Sequence, residues 1–558
     1  MFSPLKSADV AVVGGGAAGC LAAMAAKDSC PDAEVTIVEK ASVRRGGSVA
    51  CGMDAINVVV IPGLSTVESL LRAQMSAAHG ILDPAVIRAV GEESFSILQD
   101  LESWGVEFPH DQKGQYETFH QWAARDSGSA VTSISMAGDL KGILDREVSR
   151  RGVMRIEHAP VTAVFSENGE VTGLCALDIH KGEWIVLPAK TVILAAGSGA
   201  RFGLPENGVL HAVFDCPACA GDSYALGFHA GAELVNMECV KRYISVRYFN
   251  GPGLAPLSHG GRLVNSLGEA FLDRSSGGGL ELNNFMDLFS AMLREMEAGR
   301  GPIYIDTRHF SEEMTAELER CFFTTERPAF KKFFDARGWK IGRDLIEIHL
   351  SEPVLCGGHG INGLRVNARA ETNVRGLYAA GDAAANATSL MGAFALGRIA
   401  GREAARSAQK TGTKAMDSGR VHAEKERVFA PLQRAEGIPP ALLERKVRLM
   451  VKHDVDNPKS EGKLKTAQSR LSRLREDLSR LKAEDLHDAM KAVEVQFIMD
   501  CTEIVVASSL ERRESRWGVY HRRVDFPDRN DGEWKKFVVV RKGEGGRISV
   551  SIESIPGG

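Results

Sequence analysis

The sequence has no long apolar run, no excess of charge of one sign and no array of closely spaced cysteines. No apolar stretch approaches the roughly eighteen residues that a membrane-spanning helix needs. The formal net charge of −4 at pH 7 gives no reason to expect nucleic-acid binding. The first residues lead directly into an apolar strand, so we expect no signal peptide, no direct membrane span and a cytoplasmic location.

The ten cysteines are scattered along the chain, and only Cys216 and Cys219 stand close together. Their Cys-Pro-Ala-Cys spacing is that of a redox dithiol or of half a zinc site, but it also suits a turn of small residues. Because an iron–sulfur cluster is ordinarily held by about four cysteines, we expect no cluster and no metal site within this chain. Whether the pair is redox-active stays open.

The length and composition indicate a globular protein of several domains. A chain of 558 residues exceeds what one hydrophobic core usually supports, and about two to four domains are expected. The content of 44% hydrophobic and 25% charged residues is ordinary for such a protein.

The first forty residues carry the strongest pattern. Residues 10–13 form a short apolar run with β-branched side chains, which predicts a buried strand. A glycine turn over 14–19 follows, then an alanine-rich helix over 20–27, a second apolar strand over 35–38, and Glu39. This order is typical of a dinucleotide-binding unit; the alternative is a glycine-rich turn that binds no ligand.

Each part of this unit has a physical role in holding a dinucleotide. Gly14 permits the tight turn, Gly16 lets the backbone approach the pyrophosphate, and Gly19 lets the helix pack closely on the strand. The helix N-terminus offers free N–H groups and a partial positive charge to the phosphates. Glu39 would accept hydrogen bonds from the adenosine ribose.

Later segments return to the same unit. Residues 191–197 form a buried strand that ends in small residues, and residues 374–382 form another that ends in a glycine and an acid. The dinucleotide-binding unit is therefore opened at the N-terminus, interrupted, and completed near residue 405. The residues predicted to contact the cofactor are Gly14, Gly16, Ala17, Ala18, Gly19, Glu39, Lys40, Gly47, Ser48, Gly197, Asp222, Asp382, Ser389 and Leu390.

The domain division follows from this order. We expect residues 1–215 and 359–410 to form the dinucleotide-binding domain in two parts, with residues 216–358 between them as a capping domain. Residues 411–511 are rich in Lys, Arg, Glu and Leu and predict a helical domain. Residues 512–558 form a tail with two short strand-like runs.

Several segments together resemble the flavoprotein subunits of the fumarate reductase and succinate dehydrogenase family, over nearly the whole chain. These segments are the glycine turn with Glu39 and residues 220–238, 261–271, 376–382 and 513–529. A closer resemblance is to the branch that contains the α subunit of adenylylsulfate reductase, through residues 347–360 and 381–398.

The resemblance implies a fold class and a cofactor. The fold class is α/β: a Rossmann-like FAD-binding domain, interrupted by a capping α+β domain and followed by a C-terminal helical domain. The family uses FAD and commonly exchanges electrons with a separate iron–sulfur subunit. The resemblance therefore implies that the cofactor is FAD, that the partner is a ferredoxin-like iron–sulfur subunit, and that the two form a hetero-oligomer.

The chain departs from this family at positions that matter for chemistry. Gly47 stands where membrane-bound members carry the histidine that bonds covalently to FAD, so we expect non-covalent FAD. Tyr243 stands in the place of the His-Pro-Thr histidine, and Met286 in the place of the arginine that delivers a proton to fumarate. The arginine that precedes segment 388–390 in fumarate reductases is also missing. Since these basic groups bind and protonate a dicarboxylate, we expect fumarate to be a poor substrate.

Four residues are candidates for the chemistry, which should take place between the FAD-binding domain and the cap. His359 is a candidate general acid/base or oxyanion donor, since histidine titrates near neutral pH; the alternative is a structural histidine beside a glycine loop. Arg242, Arg262 and Arg274 lie in the cap segment and suit an anionic substrate, because a guanidinium binds carboxylate, sulfate or phosphate in a fork. The alternative for each arginine is a solvated cap surface.

The sequence thus predicts an FAD-dependent oxidoreductase that carries out two-electron chemistry on a small anionic substrate and exchanges electrons through an iron–sulfur partner. Two alternatives stay open: a soluble fumarate reductase or succinate oxidase with a rearranged site, and an electron-relay flavoprotein subunit. We expect the partner to contact the surface near Arg44 and Arg45 together with residues 516–521.

Overall fold

The computed structural model describes residues 7–51, 55–120, 132–204, 216–249, 255–258, 260–272, 285–320, 322–323, 328–516 and 520–557. Within these residues, no helix combines the length and the apolar character that crossing a membrane requires.

The strands of the described residues form four sheets. They are β1 (Ala8–Val13), β2 (Val35–Val38), β3 (Ala55–Ile56), β4 (Phe119–His120), β5 (Thr132–Ser135), β6 (Met154–Ile156), β7 (Val161–Glu167), β8 (Glu170–Leu177), β9 (Trp184–Leu194), β10 (Leu234–Val235), β11 (Ile244–Val246), β12 (Arg262–Val264), β13 (Ile303–Asp306), β14 (Ile346–Leu350), β15 (Gly363–Leu364), β16 (Leu377–Ala379), β17 (Phe537–Lys542) and β18 (Ile548–Glu553).

The α-helices of the described residues cover these sheets and make up most of the C-terminal part. They are α1 (Ala17–Ser29), α2 (Val67–Ala77), α3 (Pro84–Ser103), α4 (Leu140–Arg150), α5 (Asp222–Ala230), α6 (Ala255–Ser258), α7 (Phe285–Glu297), α8 (Glu312–Arg320), α9 (Pro328–Arg337), α10 (Ser389–Ala408), α11 (Ser418–Phe429), α12 (Pro440–Met450), α13 (Glu461–Leu478), α14 (Leu486–Glu511) and α15 (Asp531–Trp534).

The central sheet has seven strands in the order β6-β2-β1-β9-β8-β7, with β16 paired to the C-terminal half of β9. The strands β6, β2, β1, β9 and β16 pair in parallel, and β8 and β7 continue the sheet in antiparallel fashion. β1 and β2 are buried almost throughout, as parallel strands covered on both faces are. The carboxyl ends of the parallel strands meet at one edge, which is where ligands bind in open α/β sheets.

Two helices meet beside that edge. α1 is rich in alanine, and α10 carries Gly397 and Gly401. A Cβ on Gly397 would lie 2.4 Å from the carbonyl oxygen of Ala18, and one on Gly401 would lie 2.0 Å from that of Ala22. The small residues therefore let the two backbones touch, which brings the start of α10 next to the glycine turn.

A second sheet lies within the segment that interrupts the FAD-binding unit in the sequence. Its order is β11-β14-β13-β12, and all its pairs are antiparallel. This sheet falls inside the expected capping segment 216–358. α5, near the start of that segment, packs against β7 and α14, and β10 pairs with β15 and β17. The exact domain boundaries stay a proposal.

The C-terminal part is mainly helical. α14 is buried along most of its 26 residues and packs against α5, α12 and α13. β17 and β18 pair in antiparallel register, so the two strand-like runs of the tail are confirmed. α14 thus packs on α5, the helix near the start of the expected capping segment.

Candidate functional site

A cavity of about 280 Å³ lies at the carboxyl-end edge of the central sheet. Every residue predicted to contact the cofactor lines this cavity except Gly19, and His359 lines it as well. Glu39 follows β2 and Asp382 follows β16, and these two strands lie on opposite sides of β1 and β9. The cavity therefore runs across the sheet from a β2 side to a β16 side.

The glycine turn shapes the middle of the cavity. Gly14 has a φ of +99°, and a Cβ there would lie 2.5 Å from the carbonyl oxygen of Ala195. A Cβ on Gly19 would lie 1.8 Å from the carbonyl oxygen of Gly14, so Gly19 serves the packing of helix on strand. Gly16 instead faces the cavity, because the nearest atom to its Cβ position is the Cα of Gly47 at 3.9 Å.

The N-terminus of α1 opens into this cavity. Its N-cap residue is Gly16, which makes no side-chain capping bond, and the first turn carries no acidic residue. The first N–H groups of the helix and the positive end of its dipole are therefore available to an anion. Together with the space beside Gly16, this arrangement fits the pyrophosphate of FAD.

Glu39 lies in the wall of the β2 side and is 7% exposed. Its carboxylate accepts hydrogen bonds from the backbone N–H of Gly15 at 2.5 Å and of Ala41 at 2.9 Å. A carboxylate can accept about four hydrogen bonds, so it retains capacity for the two ribose hydroxyls. Lys141, buried on α4, donates to the carbonyl oxygen of Gly15 from outside the cavity. Sequence reasoning missed Lys141, since nothing in a helix 126 residues away indicates this contact.

His359 lines the cavity on its β16 side. It lies next to Ser389, the first residue of α10. Both ring nitrogens lie 3.3 Å from the hydroxyl oxygen of Ser389, whose backbone has a φ of +58°. The ring of Tyr243 contacts it edge to face, with 5.8 Å between the ring centroids. The structure thus brings His359 to the cavity, and its proposed role as acid or base stays a prediction.

Lys241 is a second basic residue on this side, and sequence reasoning missed it. It is 5% exposed, its Nζ donates to the carbonyl oxygen of His359, and Nζ lies 4.4 Å from the centroid of the Tyr243 ring. Burial raises the pKa of Asp382, and the positive charge of Lys241 opposes that rise. In the sequence, Lys241 could have been noticed only because it stands two residues before Tyr243.

Two of the predicted arginines, Arg242 and Arg262, do not line the cavity. Arg242 is buried, where it pairs with the carboxylate of Asp456 and donates to the carbonyl oxygen of Ser351 at 3.0 Å. Arg262 is exposed on β12. Arg274 lies outside the described residues, as does the side chain of Met286. A catalytic role for these arginines stays a prediction, and among the predicted catalytic residues that the structure describes, only His359 lines the cavity.

Cys216 and Cys219 both line the cavity, on its β2 side. Lys40, next to Glu39, donates to the carbonyl oxygen of Ala218 between them at 2.8 Å. A hydrogen bond with Cys216 and burial raise the pKa of the Cys219 thiol well above its usual value. The buried thiol of a redox dithiol and a cysteine in a turn of small residues both have a raised pKa, so both interpretations of the pair stay open.

The expected partner surface is corrected in one part. Arg516 and His521 are buried, with 1% and 0% of their surface exposed. Arg516 pairs with Glu514 at 2.5 Å and Asp531 at 2.6 Å, so its charge is satisfied inside the chain. Arg44 is part of the surface and pairs with Asp139. Basic steering of a partner could therefore come from the Arg44 region but not from these tail residues.

Comparison with known proteins agrees with this geometry. Residues 9–400 match the family model described as FAD binding domain, and residues 444–556 match the one described as fumarate reductase flavoprotein C-term. One component of the fumarate reductase (CoM/CoB) of Methanothermobacter marburgensis is 27% identical over 573 residues, covering 97% of this chain and 98% of the relative. The alpha subunit of the adenylylsulfate reductase of Megalodesulfovibrio gigas is 24% identical over 635 residues, covering 95% of this chain and 93% of the relative.

Among solved structures, adenylylsulfate reductase from Archaeoglobus fulgidus superposes with a TM-score of 0.88 at 23% identity, covering 98% of this chain and 96% of that chain. The predicted fold class, the family resemblance and FAD as the cofactor are confirmed by these comparisons.

Proposed function

Since the chain belongs to the FAD-binding flavoprotein family and carries the C-terminal domain of fumarate reductase flavoproteins, we propose that this FAD-dependent oxidoreductase acts on a small anionic substrate at the β16 side of the cavity. When bound, FAD supplies the two-electron chemistry. The residues of the chain have to bind the substrate, orient it and handle the proton that accompanies the electrons.

The observation that carries this proposal is the placement of His359 and Lys241 together. His359 presents an imidazole in the cavity wall that can hold or release a proton at a ring nitrogen, next to the hydroxyl of Ser389. Lys241 supplies a positive charge beneath the same loop, in a buried setting where water screens it little. A positive potential of this kind favours a negatively charged substrate.

The test is to titrate the purified holoprotein with sulfite, sulfate, fumarate and succinate while recording the absorption bands of the bound flavin. We expect a saturable change with at least one of these anions, and weaker binding in His359→Asn and in Lys241→Met. His422→Asn, an exposed histidine on α11 that pairs with Glu426, is the matched control and should behave as wild type.

Two results would contradict the proposal. Anion binding that is equally strong in His359→Asn, Lys241→Met and wild type would place the substrate elsewhere. A flavin spectrum that none of the anions changes would favour the electron-relay alternative, in which the flavin acts on no small substrate.

A fumarate reductase is the second candidate. Its support is the Methanothermobacter relative, which is named a fumarate reductase and covers nearly the whole chain. Tyr243 argues against it, because the resemblance places a histidine of fumarate reductases at this position. We therefore rank an anion other than fumarate first.

An iron–sulfur protein as electron partner is part of the proposal. Its support is that the Methanothermobacter and Megalodesulfovibrio relatives, which span nearly the whole chain, are each named as one component of an assembly. A cluster ordinarily needs about four cysteine ligands, and the sequence offers a single close pair. We also propose a cytoplasmic location, with which the buried thiols of Cys20, Cys239 and Cys501 are compatible.

A further inference from the structure

A buried ionic network connects the β2 side of the cavity to the C-terminal helices. Lys40 and Asp222 line the cavity, and the Nζ of Lys40 lies 2.6 Å from a carboxylate oxygen of Asp222. The same Nζ lies 2.8 Å from an oxygen of Glu494, on α14, and donates to the carbonyl oxygen of Ala218 at 2.8 Å. The network therefore joins segments that are far apart in the chain.

These three bonds use the whole donor capacity of an ammonium group. Lys40 therefore presents its charge and its alkyl stem to the cavity, and no hydrogen of its ammonium group is left for the cofactor. Lys40 follows β2 directly and binds both the turn at Ala218 and Asp222 at the start of α5. These three segments therefore form one continuous part of the cavity wall. Glu494 is the only one of the three partners of Lys40 that belongs to the C-terminal helices.

Glu494 is held from the other side as well. Its second carboxylate oxygen lies 2.5 Å from Arg201 and 2.8 Å from Lys491, and its side chain is 2% exposed. Arg201 also pairs with Glu444 of α12 at 3.2 Å. The network thus extends from the cavity wall through α14 to α12.

Charge is fixed in this network at neutral pH. Burial alone would lower the pKa of Lys40, but Asp222 and Glu494 raise it above its usual value. Burial alone would raise the pKa of Glu494, but Lys40, Arg201 and Lys491 hold it below its usual range. Both groups are therefore ionised, and removal of one leaves an uncompensated charge beside the cavity.

We infer that Glu494 is a positioning residue for FAD, which acts through Lys40 to fix the wall at the adenosine side of the cavity. A free lysine side chain has many rotamers, and cofactor binding would have to remove that disorder. Because Glu494 of α14 already fixes the end of the Lys40 side chain, less disorder is left for cofactor binding to remove. Because coupling between two binding events is reciprocal, FAD must in turn stabilise the docking of α14. This inference does not depend on the substrate.

The experiment compares Glu494→Gln, Glu494→Asp and Glu503→Gln as purified holoproteins. Glu503 lies on the same helix and pairs with Arg475 at 2.8 Å, away from Lys40, so it is the matched control. Release of FAD on dilution is followed by flavin fluorescence, and unfolding is followed separately by far-ultraviolet circular dichroism during heating.

We expect Glu494→Gln to weaken FAD affinity by at least about tenfold, which corresponds to about 1.4 kcal/mol. It should release FAD on heating before its helices unfold, whereas wild type and Glu503→Gln should lose both together. Glu494→Asp keeps the charge and should recover part of the affinity. A merely structural role would lower the unfolding temperature without separating the two events.

Two results would overturn the inference. One is an FAD affinity of Glu494→Gln equal to that of wild type, or a shift of release and unfolding by the same amount. The other is available even if Glu494→Gln does not fold: hydrogen exchange of wild-type α14 around residue 494 should slow when FAD is restored to protein depleted of it. Exchange in α14 that does not respond to FAD would show that the helix and the cofactor are not coupled.

Discussion

Gly16 and Gly47 face each other at the wall of the cavity, and a Cβ on Gly47 would lie 2.9 Å from the Cα of Gly16. Gly47 also has a φ of +83°, which other residues rarely adopt, so its backbone requires glycine. Gly16 has more room than Gly47, because a Cβ on Gly16 would enter the cavity and its nearest neighbour would be the Cα of Gly47 at 3.9 Å. The fold tolerates a side chain at position 16, but the cofactor should not.

Gly16→Val should therefore abolish FAD loading while leaving the protein folded. The valine side chain would occupy the space that the pyrophosphate needs beside the start of α1. The FAD content per chain, measured from the absorbance of the purified protein, should fall close to zero. Gly412→Val is the control, because no atom lies within 4 Å of its Cβ position. A Gly16→Val protein with the FAD content of wild type would show that this turn does not hold the cofactor.

FAD should be bound without a covalent link, because Gly47 offers no side chain to bond it. Precipitation of the holoprotein with acid should release all the yellow colour into the supernatant. The control is the absorbance spectrum of the supernatant, which should match that of free FAD. Colour that stays in the washed pellet would contradict the prediction.

Fumarate should be reduced slowly. The position of the family's His-Pro-Thr histidine holds Tyr243, and general acid catalysis typically contributes a factor of about a hundred to ten thousand. With a reduced dye as electron donor, turnover should lie far below the roughly ten per second that is typical of enzymes. Reduction of the bound flavin by the dye must be shown in the same sample. Turnover near the typical value would overturn this prediction and restore the second candidate function.

Electrons should leave or enter the flavin through a separate protein. After the bound flavin has been reduced with dithionite and the excess removed, reoxidation by air should be slow. A ferredoxin-like protein should accelerate it, and the acceleration should weaken at high salt if the surface around Arg44 steers the partner. Arg44→Gln should reduce that salt dependence. Rapid reoxidation by air alone, with formation of peroxide, would instead indicate a self-sufficient oxidase.

Lys459 should make the folded state more stable as the pH rises above neutrality. Burial lowers its pKa from 10.5 to about 8, and its Nζ donates to the carbonyl oxygen of Glu238 at 2.6 Å and to Ser509 at 3.0 Å. Between these two pKa values the unfolded chain binds more protons than the folded one. The free energy of unfolding therefore increases as the pH rises through this window, because the folded protein no longer has to bury a charged lysine.

The measurement is the free energy of unfolding by urea for wild type and Lys459→Met. Between about pH 7.5 and about pH 9.5 the difference should shift in favour of wild type by an amount on the order of 2 kcal/mol. Lys463→Met removes an exposed lysine at the start of α13 and should show no such shift. A difference between wild type and Lys459→Met that is the same at both pH values would contradict the prediction.

The sequence predicted best what depends on residues close together in the chain. The strand, glycine turn, helix and second strand follow from periodicity and from the special backbone of glycine, and Glu39 follows from its spacing. The tail strands follow from one continuous apolar run and one alternating run. These patterns are local, and the central sheet positions them without changing them.

The sequence could not predict contacts that join distant parts of the chain. Lys241 and His359 are 118 residues apart, and Lys40 and Glu494 are 454 residues apart. The sequence predicts Arg516 as part of a basic partner surface, but it is buried because Glu514 and Asp531 neutralise its charge. A buried charge can be recognised only when its partner is known, and the partner is fixed by the fold.

The pairing of β16 with β9 has a consequence for biosynthesis. About 180 residues separate these neighbouring strands in the chain. At about 5–20 residues per second, a ribosome needs roughly ten to forty seconds to make that stretch. During this interval the glycine turn and β9 have already been synthesised, but the side of the cavity that carries Asp382 and Ser389 does not yet exist. Nascent chains that end before β16 should therefore fail to retain FAD, and the order of synthesis sets the earliest moment at which the cofactor can be captured.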